Sequence, residues 1–187
     1  MSGELQIIHG LQSLFQSPAL KAFAVFCATN LIYFLVIPVA LTGVYRGKKN
    51  LRQTAYRAAV SAVIALALSL VLGVFLGRIR PFHVSTEVQL WISPPASVYS
   101  FPSSHASLSF AVAFALLYGD VSLGLLALLM ATLIAFGRII CGVHYPTDVV
   151  AGAALGFLSF AFTKYMLGWM SARRQKKKSI PEASHLS

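Results

Sequence analysis

The chain has 187 residues, 57% of them hydrophobic and only 11% charged, with a mean hydropathy of +0.75. A soluble domain carries about a quarter charged residues, so this composition excludes an ordinary water-soluble globule and a disordered chain, and points to a membrane protein of single-domain length. Fifteen Lys and Arg against five Asp and Glu give +10, a balance that suits nucleic acid, anionic lipid or an anionic substrate, and the placement of the charges must decide.

In chain order, Leu5, Ile8, Leu11, Gln12 and Phe15 predict a short amphipathic helix lying at the membrane interface. No basic segment precedes an apolar core there, so no cleaved signal peptide is expected. A spanning helix needs about 20 mainly apolar residues. Residues 22–45 form an uncharged run interrupted only by Asn30 and Pro38, and 58–77 form a second. The runs 105–119 and 121–137 are shorter and are separated by a turn at Asp120, and 149–172 is broken only by Lys164. The expectation is an all-α, integral membrane bundle of about five transmembrane helices occupying residues 1–172 together with the amphipathic helix. Residues 173–187 are expected to be a basic, disordered tail on the cytoplasmic side. Cys27 and Cys141 form no CxxC or CxxH pattern, which argues against a disulfide framework or a zinc site.

Arg46, Lys48, Lys49, Arg52 and Arg57 fall around the first connection, and Arg173, Arg174, Lys176, Lys177 and Lys178 follow the last span. Five crossings put both clusters on one side, which the positive-inside tendency makes cytoplasmic. Topology accounts for both clusters together, so nucleic acid is not expected as a partner. The 78–104 connection then lies outside, with Trp91, Tyr99 and Phe101 as boundary aromatics. Its 27 residues exceed an ordinary connection and favour a functional loop.

The outer face gathers three polar segments: Arg78 to Phe82, Phe101 to His105, and Gly137 to Asp148. Singly, each reads as a helix end or cap: Arg before Pro81, Ser103 and Ser104 ahead of a helix, Thr147 and Asp148 in a first turn. Together, two arginines and two histidines at one membrane face of so uncharged a chain are costly unless they share an anion. Arg80 and Arg138 can present donor forks to phosphate oxygens, and Ser103 and Ser104 can add hydroxyls and helix N–H groups. Of His105 and His144, one can attack phosphorus while the other protonates the leaving oxygen, and Asp148 lies four residues beyond His144, near enough to orient its ring. A zinc site is the rival use of two histidines, but it wants three or four ligands and only His83 and Glu87 are spare.

Arg80-Pro81, Pro102-Ser103-Ser104-His105 and Arg138-x5-His144-x3-Asp148 resemble the tripartite signature of the type-2 phosphatidic acid phosphatase family, in the same order and spacing. The resemblance implies a helical bundle, hydrolysis without metal or cofactor, His144 as the nucleophile that forms a phosphohistidine, Asp148 as its orienting partner and His105 as the acid. It also implies that Arg80, Arg138, Ser103 and Ser104 bind phosphate. Two positions depart from the family pattern: Gly73 stands where the first motif has lysine, and Gly137 where the third has serine. Arg78 is a possible replacement cation and substrate contact, provided the chain unwinds ahead of Pro81. The missing lysine is similar to a short bacterial branch of undecaprenyl-diphosphatases. The implied function is therefore hydrolysis of a terminal lipid phosphate or diphosphate, first undecaprenyl diphosphate, at the outer face of a bacterial inner membrane. Lipid A 1-phosphate and phosphatidylglycerophosphate are alternatives, and a non-catalytic lipid-binding or transport protein is the rival class.

Overall fold

The computed structural model describes residues 3–44 and 49–178. Among the described residues eight helices follow one another: α1 (Gly3–Leu14), α2 (Pro18–Thr29), α3 (Leu31–Val44), α4 (Lys49–Leu76), α5 (Pro81–Val84), α6 (Ser104–Gly119), α7 (Val121–Ile140) and α8 (Pro146–Lys178). The stretches Pro18–Thr42, Asn50–Leu76, Val121–Ile140 and Pro146–Lys176 are long and apolar enough to cross a membrane, and α6 is a shorter apolar helix of 16 residues.

The helix boundaries differ from the sequence expectation in ways hydropathy cannot register. The first span is two helices that meet at Asn30, where the Thr29 hydroxyl donates back to Val25 O, a bond that tends to bend a helix. Tyr45, the last residue expected in that span, lies outside the described residues. Helix α4 starts at Lys49, nine residues before the apolar run, since Arg52 and Arg57 ride its aqueous end. Helix α8 continues past residue 172 to Lys178, so the first part of the expected disordered tail is helical. Residues 179–187 lie outside the described part.

Successive spans run up and down the bundle, and α6 is at its centre, packed against α4, α7 and α8. Small residues allow this. Ala113, Ala115, Ala127 and Ala131 fill the core around Val112, Ile134 and Phe160. A Cβ on Gly152 would lie 2.8 Å from Ser103 O and one on Gly156 2.6 Å from Ser107 O, so α8 meets α6 at backbone contact. Outward, Val63, Phe75, Leu129, Val150 and Phe162 are exposed, an apolar belt that suits hydrocarbon.

Helix α1 is amphipathic as expected, but its apolar face turns into the protein. Leu5 and Ile8 are buried with Val88, Ala135, Ile139 and Tyr145. The amide of the buried Gln12 donates to Gln89 O at 2.7 Å and Ile140 O at 2.9 Å, and its carbonyl accepts from Gln89 N. The α1 helix is thereby fastened to the end of the bundle where α4 and α7 finish and α6 and α8 begin.

Candidate active site

Two glycines with positive φ open the turns that carry the first and third motifs. Gly77 (φ +60) ends α4, and Gly142 (φ +75) follows α7 in the left-handed conformation that closes a helix. A side chain at 142 would also strike Gln89 O, 2.5 Å from its Cβ. Beyond Gly77 the chain is extended: Ile79 bridges Tyr99, Arg80 N donates to Val98 O, and Ser100 N to Arg78 O at 2.7 Å. This unwinding sends Arg78 and Arg80 to separate places. It also brings the Ser100 carbonyl beside His144.

His144 is buried between those two partners. Its Nδ1 lies 2.8 Å from Ser100 O, and its Nε2 lies 3.2 Å from Arg80 Nη1. A carbonyl only accepts and a guanidinium only donates, so Nδ1 carries the proton and Nε2 presents a lone pair. Burial first, and then the positive charges of Arg138 and Arg80, push the His144 pKa down to about 4 against the pull of Asp148. At neutral pH the imidazole is a free base.

Arg80 is buried, with Nε donating to Ser97 O at 2.8 Å and Nη1 to Val143 O at 2.9 Å. Burial lowers its pKa to about 10, which leaves it cationic at neutral pH. Arg138, on the last turn of α7, donates from Nη1 to Ala28 O at 3.3 Å, while its buried Nε has no hydrogen-bond partner. Among the described residues neither arginine has a carboxylate within ion-pair distance. Arg80, Arg138, His105 and His144 lie within electrostatic reach of one another. Two buried guanidinium groups with no carboxylate ion pair among the described residues suit an anion.

The second motif enters from α6. Ser103 caps that helix, its hydroxyl accepting from Ala106 N, and its own N–H donates to Asp148 O at 3.1 Å, which ties the second motif to the third. Ser104 accepts from Ser69 at 2.9 Å. His105 is half-buried, with no hydrogen bond to its ring among the described residues. Gly137 faces α2, where a Cβ would lie 2.8 Å from Ala28 N. That contact gives a physical reason for the absent serine.

Asp148 lies beside His144, and both Asp148 and Arg78 also take partners that the sequence does not announce. Asp148 Oδ2 stands 3.6 Å from His144 Nδ1 and accepts instead from Tyr145 N at 2.8 Å. Its Oδ1 is 2.6 Å from Arg78 Nη1. Arg78 lies over the Tyr145 ring and also holds Glu4 of α1 and Thr147. Its guanidinium is therefore engaged with protein partners on the Nδ1 side of His144, and Arg80 is the arginine at Nε2. Burial of Glu4 is outweighed by bonds from Thr147 and Arg78, so its carboxyl stays below the usual range.

Sequence reading missed Glu4 and Ser100, and gave Gln12 only a place in the amphipathic helix. The lone acid in an otherwise uncharged first helix was a signal available for Glu4. A backbone carbonyl such as that of Ser100 leaves none. Among the described residues no three His, Cys, Asp or Glu side chains gather closely enough to hold a metal ion.

Comparison with known proteins follows the same lines. The family model described as "PAP2 superfamily" matches residues 54–171. The chain is 34% identical over 137 residues to the "Bacitracin transport permease protein BcrC" of Bacillus licheniformis, covering 73% of this chain and 66% of that one. It is 33% identical over 114 residues to an "Undecaprenyl-diphosphatase" of Sulfolobus acidocaldarius, covering 60% of this chain and 55% of that relative. The match thus spans somewhat more than half of each relative's length. The fold is that of the crystal structure of Aquifex aeolicus LpxE, with a TM-score of 0.73 at 22% identity over 88% of this chain and 96% of the other.

Proposed function

The chain belongs to the PAP2 superfamily, and we propose that it is a multi-pass membrane phosphatase that removes the terminal phosphate of a lipid phosphate or diphosphate through a phosphohistidine on His144. One observation carries this reading: two buried arginines with no carboxylate ion pair among the described residues lie within electrostatic reach of His144, whose Nε2 faces the Arg80 guanidinium and so presents its lone pair. A phosphoryl group supplies the missing negative charge and the electrophile together.

In the first step Nε2 of His144 attacks phosphorus and the bond to the leaving oxygen breaks, with His105 giving that oxygen its proton. The Ser100 carbonyl holds Nδ1–H and so keeps the attacking nitrogen in its nucleophilic tautomer. Arg80 and Arg138, with Ser103 and Ser104 at the start of α6, take the charge on the equatorial oxygens. In the second step water attacks the phosphohistidine, His105 accepts a proton from it, and inorganic phosphate leaves with His144 restored. The guanidinium groups do the charge stabilisation, so the cycle runs without a metal or other cofactor.

Undecaprenyl diphosphate is the proposed substrate, with undecaprenyl phosphate as product, supported by the relative named for that activity and by the absence of a lysine at Gly73. The basic end of the bundle, carrying Arg52, Arg57, Arg173 and Arg174, faces the cytoplasm of a bacterial inner membrane, and the site opens outward. Phosphate release from the purified protein tests the whole. Undecaprenyl diphosphate should be turned over faster than lipid A, phosphatidylglycerophosphate or phosphatidic acid, and EDTA should not reduce the rate. Phosphate release from none of the four would favour the transport-type reading that another relative's name suggests.

A further inference from the structure

At the end of the bundle away from His144, α3, α4, α6 and α8 part around an open cavity of about 1350 Å³. Arg52 and Arg57 line it from α4, and Lys164 and Arg174 from α8. Two of these cations share one ring: Lys164 Nζ is 4.4 Å and Arg57 Cζ 5.3 Å from the centre of Tyr118, in the last turn of α6. No carboxylate is among the described lining residues. A second cavity of about 260 Å³ shares Tyr56 and Ala59 with the first and continues along α4 past Val60, Val63 and Ile64. Those residues lie progressively deeper in the span, so the pair of cavities has a cationic mouth and an apolar track.

Basic residues at a helix end need only reach water to satisfy the positive-inside tendency. Here four of them from two helices converge on one cavity that leads into an apolar crevice. That pairing matches an amphiphile with an anionic head better than it matches water or a free anion. The 16 residues of α6 put about 24 Å between this cavity and the His105 end of that helix, so it is no part of the phosphatase site. We infer that this groove binds one anionic phospholipid of the leaflet at that end, its phosphate among Arg52, Arg57, Lys164 and Arg174 and an acyl chain along α4.

Native mass spectrometry of the full chain, titrated with phosphatidylglycerol or phosphatidylcholine of identical acyl chains, tests this. The protein should retain one phosphatidylglycerol in preference to phosphatidylcholine. Neutralising Arg57→Gln together with Lys164→Gln should weaken phosphatidylglycerol binding roughly thirtyfold, as expected for two cations near an anionic headgroup. Val63→Trp should weaken it by obstructing the crevice. The conservative Lys164→Arg should keep it, and an unchanged thermal transition should accompany each variant. Equal retention of the two lipids overturns the inference. So does unaltered binding in the double variant, or displacement by inorganic phosphate at millimolar concentration.

Discussion

Arg78 Nη1 lies 2.6 Å from Asp148 Oδ1, so the carboxylate four residues beyond His144 is paired with a cation as well as lying beside the imidazole. That pair continues outward to Glu4, whose second oxygen accepts from the Thr147 N–H and hydroxyl at the start of α8. The result is a chain of alternating charge behind His144, closed by the N-terminal helix.

This arrangement changes what Arg78 should do. A cation that met a second phosphoryl group would serve a diphosphate more than a monoester. A cation bound to Asp148 serves both alike. Arg78→Ala should therefore lower kcat for the two substrate types by the same factor, at least tenfold, with KM little changed. A loss confined to diphosphates, seen by measuring kcat and KM for one of each, would return Arg78 to direct substrate contact. Glu4→Gln should act in the same direction but more weakly, since Asp148 still holds the guanidinium.

At phosphorus the roles separate by magnitude. His144→Ala should abolish turnover, and His105→Ala should lower it roughly 10²–10⁴-fold, the usual worth of a positioned acid. Rapid quench with labelled substrate should trap a phosphoenzyme in the wild type and none in His144→Ala. Near-normal turnover by the His144 variant would remove it as nucleophile.

The acid limb of kcat/KM follows from the depressed His144 pKa. With the His144 free base as the proposed nucleophile and its proton binding only near pH 4, activity should hold from neutrality to about pH 5 and fall with unit slope below. Arg80→Gln removes a like charge and should move that limb to higher pH even as it slows the reaction. A limb that stays in place would detach it from His144. The same depression costs stability as pH falls from 6.5 toward 4, because the unfolded imidazole takes its proton first.

Sidedness has a direct readout. Ser97, exposed in the 78–104 loop, replaced by cysteine in a background lacking Cys27 and Cys141, should react with an impermeant thiol reagent in intact cells. Labelling only after the membrane is broken would invert the orientation.

Packing at the third motif gives a stability test. Gly137→Ser puts a side chain against the α2 backbone, 2.8 Å from Ala28 N and 2.9 Å from Ala24 O. Overpacking of this kind costs about 1–3 kcal/mol, so the melting temperature should fall by several degrees. An unchanged transition would show that α2 yields freely.

Membrane residence, the all-α class and the polar segments of one face were legible in the chain because each is local. Hydropathy runs report spans, and Arg80, His105, Arg138, His144 and Asp148 announce themselves by charge and spacing in an apolar background. Helix ends were less legible, since α4 and α8 carry their helices into water where hydropathy falls silent. Of the partners of His144 and Arg78, Asp148 was legible by its spacing from His144 and the others were not. Nδ1 of His144 meets a backbone carbonyl, 44 residues away at Ser100, that any side chain at that position would provide. Glu4 reaches Arg78 across 74 residues only because Ile8 and Gln12 dock α1 on the bundle. Contacts of that kind depend on how helices pack in three dimensions, and no periodicity along one helix encodes them.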